Sequence, residues 1–180
     1  MIDRIAIFDF DGTLFKSPEQ PSWWPHQGFW GRLETLSPPF VPEHPDSDWW
    51  ASSIVSEAKK AAGDSSTYAC LLTGRIPKFE KRIKELLAGE GIRFDNYFFT
   101  RGSSTLPFKL STIENLVQRF PDVKLVEIWD DRTEHVGQFE SKLSELGVEY
   151  DVHSVPKATR EFAIGPHDIP AAKVAIRFTE

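Results

Sequence analysis

Asp9 and Asp11 stand one residue apart at the end of an apolar run, Ile5-Ala6-Ile7-Phe8, and are followed at once by Gly12 and Thr13. In an extended strand, residues i and i+2 project to the same side, so both carboxylates leave the strand end together. Like charges that close repel. Either a divalent cation keeps both ionised, or one has a raised pKa and carries a proton it can give up as an acid. Gly12 permits the sharp exit that a side chain would obstruct. Over three residues a strand ending in a simple Asx turn looks much the same, because aspartates also bond turn backbones. The remainder of the chain has to discriminate between the two.

Two further apolar runs end in polar groups. Residues 67–72 lead into Thr73-Gly74-Arg75, and residues 125–129 lead into Asp130-Asp131-Arg132. Between them Lys109 stands just before the apolar face of a helix. Parallel strands would bring all these ends to one edge, where open α/β sheets hold their ligands. Carboxylates, a hydroxyl and a lysine on one rim make a cation site beside an anion site. Hard carboxylate oxygens suit magnesium, which takes phosphate oxygens readily. Phosphoryl transfer needs little more than positioning, charge neutralisation and a nucleophile. Taken singly, Thr-Gly-Arg is an ordinary strand exit, Lys109 a solvated lysine, and Asp130-Asp131 a cap for the helix behind it. Their shared order and strand-end position favour a site.

The elements that must position these groups alternate. Strands are expected at Arg4–Phe8, residues 67–72, Asn96–Phe99, residues 125–129 and residues 148–155, with amphipathic helices between them. One helix follows a cap at Asp46 or Ser47. Another opens at Pro77. A third carries Leu110, Ile113, Leu116, Val117 and Phe120, and a fourth carries Val136, Phe139, Leu143 and Leu146. The expected fold class is α/β, Rossmann-like, with a mainly parallel sheet flanked by helices. Residues 15–47 break the periodicity. They are rich in proline and carry Trp23, Trp24, Phe29 and Trp30. We read them as an insert or lid facing substrate, with Trp23 and Trp24 as candidate stacking surfaces; simple cover for a hydrophobic sheet edge is the alternative. Residues 1–155 form the domain. Residues 156–180 are an extension or tail in which Val174, Ile176 and Phe178 alternate like a short strand.

Composition bounds the function. The chain has 180 residues, six tryptophans, thirteen prolines and a formal net charge of −6. That charge argues against a wide nonspecific footprint on duplex nucleic acid. Residues 75–109 nevertheless carry eight Lys/Arg against four Asp/Glu, a locally basic run that can follow a short single strand. Cys70 lies within an apolar run and is expected to be a buried free thiol. No run of the sequence resembles a signal peptide or a membrane span, so a soluble cytoplasmic protein is expected.

The string Asp-Phe-Asp-Gly-Thr-Leu after a buried strand resembles the first motif of the haloacid dehalogenase (HAD) superfamily. Leu71-Leu72-Thr73-Gly74 resembles the second motif, Lys109 the third, and Trp129-Asp130-Asp131 the fourth. The resemblance implies that Asp9 is the nucleophile and Asp11 the acid/base. It further implies that Thr73, the Gly74 N–H and Lys109 hold the phosphoryl group. Mg2+ is then bound by Asp9, the main-chain carbonyl of Asp11 and Asp130, with Asp131 supporting. The longer strings around Arg75, Phe79, Arg82, Phe94-Asp95, Phe108-Lys109, Arg132 and His135 look like the Swiss Army Knife RNA repair-like HAD group. Asp130-Asp131-Arg132-Thr133 and Arg75 are also similar to the phosphatase domain of polynucleotide kinase-phosphatases. These resemblances imply a phosphatase acting on nucleic-acid 3′ ends. A phosphatase of nucleotides or other small esters, and a non-catalytic module that binds phosphorylated ends, are the alternatives. Arg75 is a candidate phosphate fork and Arg132 a supporting cation, each with an ion pair as its bland counterpart. His135 is expected on a helix face or in the core, since Asp11 already fills the acid/base role.

Overall fold

A computed structural model describes residues 1–24, 28–101, 104–160 and 165–168. Five strands form one sheet: β1 (Arg4–Phe8), β2 (Thr67–Thr73), β3 (Asn96–Phe99), β4 (Leu125–Asp130) and β5 (Glu149–Ser154). Their order is β3-β2-β1-β4-β5, and every pairing is parallel. The chain adds strands to one side of β1 and then returns to add β4 on the other. The switch point therefore falls between β1 and β4, where a crevice opens beyond the carboxyl ends.

Period-two alternation divides the core into two layers. Ala6, Phe8, Ala69, Leu71 and Trp129 face one side, with residues of α1 (Ser52–Gly63) and α2 (Glu80–Gly89). Ile5, Ile7, Cys70, Leu72, Val126 and Ile128 face the other, with residues of α3 (Thr105–Arg119) and α4 (Thr133–Leu146). Both faces of β1 and β2 are covered, which accounts for their unbroken apolar sequences. Phe8 stacks on Trp129 at 4.4 Å between ring centroids and on Phe94 at 5.5 Å, fixing the two strands that end in aspartates. Cys70 is a buried free thiol whose pKa burial pushes up. Among the described residues, no helix is long and apolar enough to cross a membrane.

Three helix starts differ from expectation. Asp46, expected to cap the first helix, accepts the Asp48 N–H but opens only the 3-10 turn Ser47–Trp49, and α1 itself begins at Ser52. A single 3-10 turn at Pro77–Phe79 precedes α2, since proline suits a first turn but donates no N–H. Helix α3 begins at Thr105, so Lys109 lies one turn inside it rather than ahead of it. Pro107 falls within that first turn, where a missing N–H costs nothing.

Among its described residues the insert contains only short 3-10 turns, at Phe29–Gly31, Leu33–Leu36 and, at its end, Ser47–Trp49. Trp24, Phe29 and Phe40 form their own small cluster, with Trp23 packed against it. Leu36, Val41, Trp49 and Trp50 join the main core. Arg82 staples the insert to α2 by donating to the carbonyls of Leu36, Pro42 and Glu43 at 2.8, 2.8 and 3.1 Å. Most of the insert's rings therefore serve packing, the alternative raised by the sequence. Residues 174–178, expected as a short strand, lie outside the described residues.

Candidate active site

The ends of β1, β2 and β4 and the first turns of α3 surround a pocket of about 280 Å3. Asp9 lies just past β1, and its N–H donates to the Trp129 carbonyl at 3.0 Å, continuing the pairing of β1 with β4. Lys109 reaches in from α3 and is only 2 % exposed. Its Nζ lies 3.0 Å from Asp9 Oδ1 and 2.7 Å from Asp130 Oδ2. The other Asp130 oxygen accepts the Arg132 N–H at 2.9 Å. One cation thus sits between two buried carboxylates, the arrangement under which a buried charge is tolerated.

Asp11 has different company. Arg75 donates from Nε to its Oδ2 at 2.9 Å and from Nη2 to its Oδ1 at 2.7 Å, and Ser17 Oγ donates to the same Oδ1 at 2.6 Å. The remaining Arg75 nitrogen donates to the Trp30 carbonyl at 3.0 Å and to Thr35 Oγ1 at 2.7 Å. The guanidinium lies over the rings of Trp30 and Phe79, at 5.0 and 4.7 Å. Arg75, expected to present its fork to a phosphate, lines the pocket, and here the fork meets Asp11 and ties the insert to it. The surface ion pair considered as its bland counterpart is ruled out by burial, since Arg75 is 3 % exposed.

The two aspartates differ in charge state. Burial pushes the Asp9 pKa up to about 7; Lys109 opposes this, while Asp130, Asp11 and Asp131 add to it. For Asp11 burial acts in the same direction, but the charge and hydrogen bonds of Arg75, aided by Ser17, outweigh it and hold the carboxyl below the usual range. Burial would lower the Lys109 pKa, yet Asp9 and Asp130 raise it, so the side chain stays an ammonium. Burial and Asp130 raise Asp131.

Carboxylate oxygens of Asp9, Asp130 and Asp131 lie within 4.8 Å of one another. These are hard donors close enough to share a magnesium ion, and such an ion would offset the charge that drives Asp9 upward. Of the aspartate pair after β4, it is Asp131 that lines the pocket with Asp9 and Asp11; Asp130 is nearly sealed and engaged by Lys109 and the Arg132 N–H. Asp131 thus joins the expected trio of Asp9, Asp11 and Asp130 as a candidate ligand, rather than merely supporting it.

Gly74 lines the pocket, and a Cβ there would come to 3.0 Å from the Thr105 side chain, so glycine lets β2's exit approach the start of α3 without displacing it. Thr73 is fully buried, and its hydroxyl accepts the Arg75 N–H at 3.1 Å, shaping the strand exit. Arg132 is at the rim and exposed. His135 is buried on α4 against Phe139, and burial lowers its pKa. Trp23 and Trp24 do not line the pocket, and Trp24 is buried in the insert's own cluster, so the expected stacking faces are not there.

The structure adds to the site Ser17, Thr35, Thr105 and Lys157, which sequence reasoning did not single out, and Trp30, which it named in the insert but not as a site residue. Lys157 follows β5 on a segment tied down by the Val155 N–H to the Asp130 carbonyl and the Ala158 N–H to the Gly12 carbonyl, at 3.1 and 2.7 Å. It lines the pocket beside Gly12 and reaches Glu19 of the insert at 2.5 Å. Proline-rich breaks in periodicity mark the insert, but no local pattern marks Lys157.

A parallel sheet with an aspartate pair after its central strand, facing a helix lysine and a second aspartate pair, defines a HAD-type domain. Residues 15–164 match the model of HAD domain family 1 in Swiss Army Knife RNA repair proteins, and the chain belongs to that family. The matched span begins just after the Asp9–Asp11 pair, so the pair itself rests on its position in the fold. The chain is 24 % identical to the uncharacterized protein YMR265C of Saccharomyces cerevisiae, with 78 % of this chain and 37 % of that protein covered. Its fold is similar to a chain of the Pnkp1/Rnl/Hen1 RNA repair complex (TM-score 0.58, 18 % identity, 89 % of this chain and 44 % of that one). It is also similar to the HAD domain of effector protein Lem4 from Legionella pneumophila (TM-score 0.54, 15 % identity, 89 % of both chains). The chain spans less than half the length of the yeast protein and of the repair-complex chain.

Proposed function

We propose that this protein is a magnesium-dependent phosphomonoester hydrolase that works through an aspartyl phosphate on Asp9 and acts on nucleic-acid 3′ ends. Family membership supports a HAD phosphatase-like function. The observation that carries the chemistry is the contact of Lys109 with Asp9, 3.0 Å apart at the floor of a pocket built on strand ends. Asp9, Asp130, Asp131 and the main-chain carbonyl of Asp11 are the groups that would hold magnesium. Bound there, the ion would neutralise phosphoryl charge and favour the ionised nucleophile.

An Asp9 oxygen attacks phosphorus while Lys109 offsets the negative charge gathered there. The ester oxygen leaves with a proton from Asp11. Asp11 then takes a proton from the water that hydrolyses the aspartyl phosphate. Gripped by Arg75, Asp11 is an ionised carboxylate suited to the second step. Its acid role requires Asp11 first to take up a proton from solvent, which the Arg75 fork allows by turning partly toward the incoming phosphate, a competitor for the same guanidinium.

The repair complex among the fold relatives and the basic run after Thr73 favour a 3′-end substrate over a free nucleotide. The modest pocket volume favours the second reading, a small phosphate ester. Intact Asp9, Asp11, Lys109 and Asp130 weigh against a purely binding module. A phosphate-release screen over mononucleotides, sugar phosphates and oligonucleotides phosphorylated at either end tests the proposal. Fastest release from the 3′-phosphorylated strand is expected, with none from Asp9→Asn. Equal release from sugar phosphates would favour the second reading, and an active Asp9→Asn would overturn the nucleophile.

A further inference from the structure

Trp30 is the one tryptophan among the described residues that stands open at the pocket. It is 42 % exposed, whereas Trp24, Trp49, Trp50 and Trp129 are all at or below 6 %. Its position is held from two sides. Its carbonyl accepts from Arg75 Nη1 at 3.0 Å, and its ring lies over the same guanidinium at 5.0 Å. Phe29 meets the ring edge-to-face at 5.5 Å. An exposed indole is ordinarily free to sample rotamers, and ordering one costs entropy. Here the contacts with Arg75 and Phe29 hold the ring in place without a ligand, which lowers the cost of using it as a recognition surface.

The same pocket is lined by Lys157 and Arg132, both exposed cations. Lys157 is paired with Glu19, but both partners are about half exposed, so the pair is weak and readily exchanged for a phosphate. The pocket thus has Asp9 and Lys109 at its floor, with a flat ring and two exposed cations also in its lining. A plain sugar phosphate offers the ring only the C–H groups of one sugar face, with no aromatic plane to stack. A nucleotide at the end of a strand offers a base to stack and a preceding phosphodiester to pair.

We propose that Trp30 determines substrate specificity: its open face stacks the base of the nucleotide bearing the terminal phosphate, and Lys157 with Arg132 takes the next phosphate of the strand. This rests on the reading of the pocket as a phosphomonoester site, and it moves the stacking role from Trp23 and Trp24 to Trp30.

The test is calorimetric binding to the Asp9→Asn protein with magnesium present, so that nothing turns over. The ligands are a dinucleotide with a 3′-phosphate, the same dinucleotide with an abasic terminal sugar, and inorganic phosphate. Trp30→Ala should weaken the first roughly tenfold and leave the other two within about twofold, with Trp30→Phe restoring most of the loss. Lys157→Ala should weaken both dinucleotides, in a salt-sensitive way, and spare inorganic phosphate. Equal affinity of the Asp9→Asn protein for the intact and abasic dinucleotides, no binding of the dinucleotide, or an equal loss on all three ligands in Trp30→Ala would overturn the proposal. Phosphate release by the unaltered protein is measured on the same dinucleotide. Base-dependent binding without release would sink the hydrolase reading and leave Trp30 standing; release without base dependence would do the reverse.

Discussion

Arg75 bonds both carboxylate oxygens of Asp11, at 2.9 and 2.7 Å, across a sequence separation of 64 residues. The same guanidinium holds Trp30 and Thr35 of the insert, so one side chain joins the end of β2, the loop after β1 and the insert.

Arg75→Met should therefore cost more than a surface pair. Removing one partner of a buried ion pair costs about 3–5 kcal/mol, whereas an exposed pair is worth under about 1 kcal/mol. Urea denaturation of Arg75→Met, Asp11→Asn and the double variant measures this. The double variant should be less destabilised than the sum of the singles, by about 1–3 kcal/mol. Strict additivity would mean that the fork contributes nothing as a pair. Arg75→Lys should recover little, because lysine cannot reproduce two parallel bonds.

Asp9 gives a pH signature of the opposite sign to an ordinary salt-bridged carboxylate. Its folded pKa of about 7 lies above the 3.8 of an ordinary aspartate. Between these values the folded state binds the proton more tightly, so stability falls as pH rises through that window and levels off above it. In metal-free protein Asp9→Asn should raise Tm at pH 7.5, and the gain should shrink toward pH 4. Added magnesium should raise the Tm of the unaltered protein more than that of the variant, which keeps Asp130 and Asp131 as donors. A flat Tm difference across pH would refute the raised pKa.

Asp130 and Asp131 should separate under mutation. Asp130→Ala strips Lys109 of its closest partner and should destabilise the fold by about 3 kcal/mol or more. Asp131→Ala removes a pocket-lining carboxylate and should leave Tm within a few degrees while raising the magnesium needed for half-maximal phosphate release about tenfold or more. If both variants behave alike in melting and magnesium titration, the division of roles is wrong.

Gly12 admits a side chain only under strain. Its φ is +74°, and a Cβ would fall 2.7 Å from Asp131 Oδ2 and 3.1 Å from Lys157 Cγ. The backbone strain alone costs about 1–2 kcal/mol. Gly12→Ala should lower stability by at least that much and push Asp131 and Lys157 apart. Magnesium affinity, measured by the metal-induced rise in Tm, should then fall. A variant as stable as the parent would show that the loop can rearrange.

The sequence by itself determined the strands, the parallel α/β class and the order of the polar strand ends. Hydrophobic periodicity and strand-end chemistry are local signals, legible within about ten residues at a time. Asp9, Asp11, Gly74, Lys109, Asp131 and Arg132 do line one pocket, because parallel strands bring their carboxyl ends to one edge whatever the loops do. Thr73 and Asp130 lie just behind that lining. Tertiary structure alone decided who meets whom. Arg75 turned to Asp11 because the insert supplied a carbonyl, a hydroxyl and a ring to seat its guanidinium. Trp30 stayed open while Trp24 sank into a cluster with Phe29 and Phe40, a choice made by the insert's packing and invisible in a stretch with no repeat. Lys157 entered the pocket only because the chain after β5 crosses the Gly12 loop. Such contacts depend on the path of irregular segments, which no period encodes, and they are what distinguishes this pocket from a generic strand-end site.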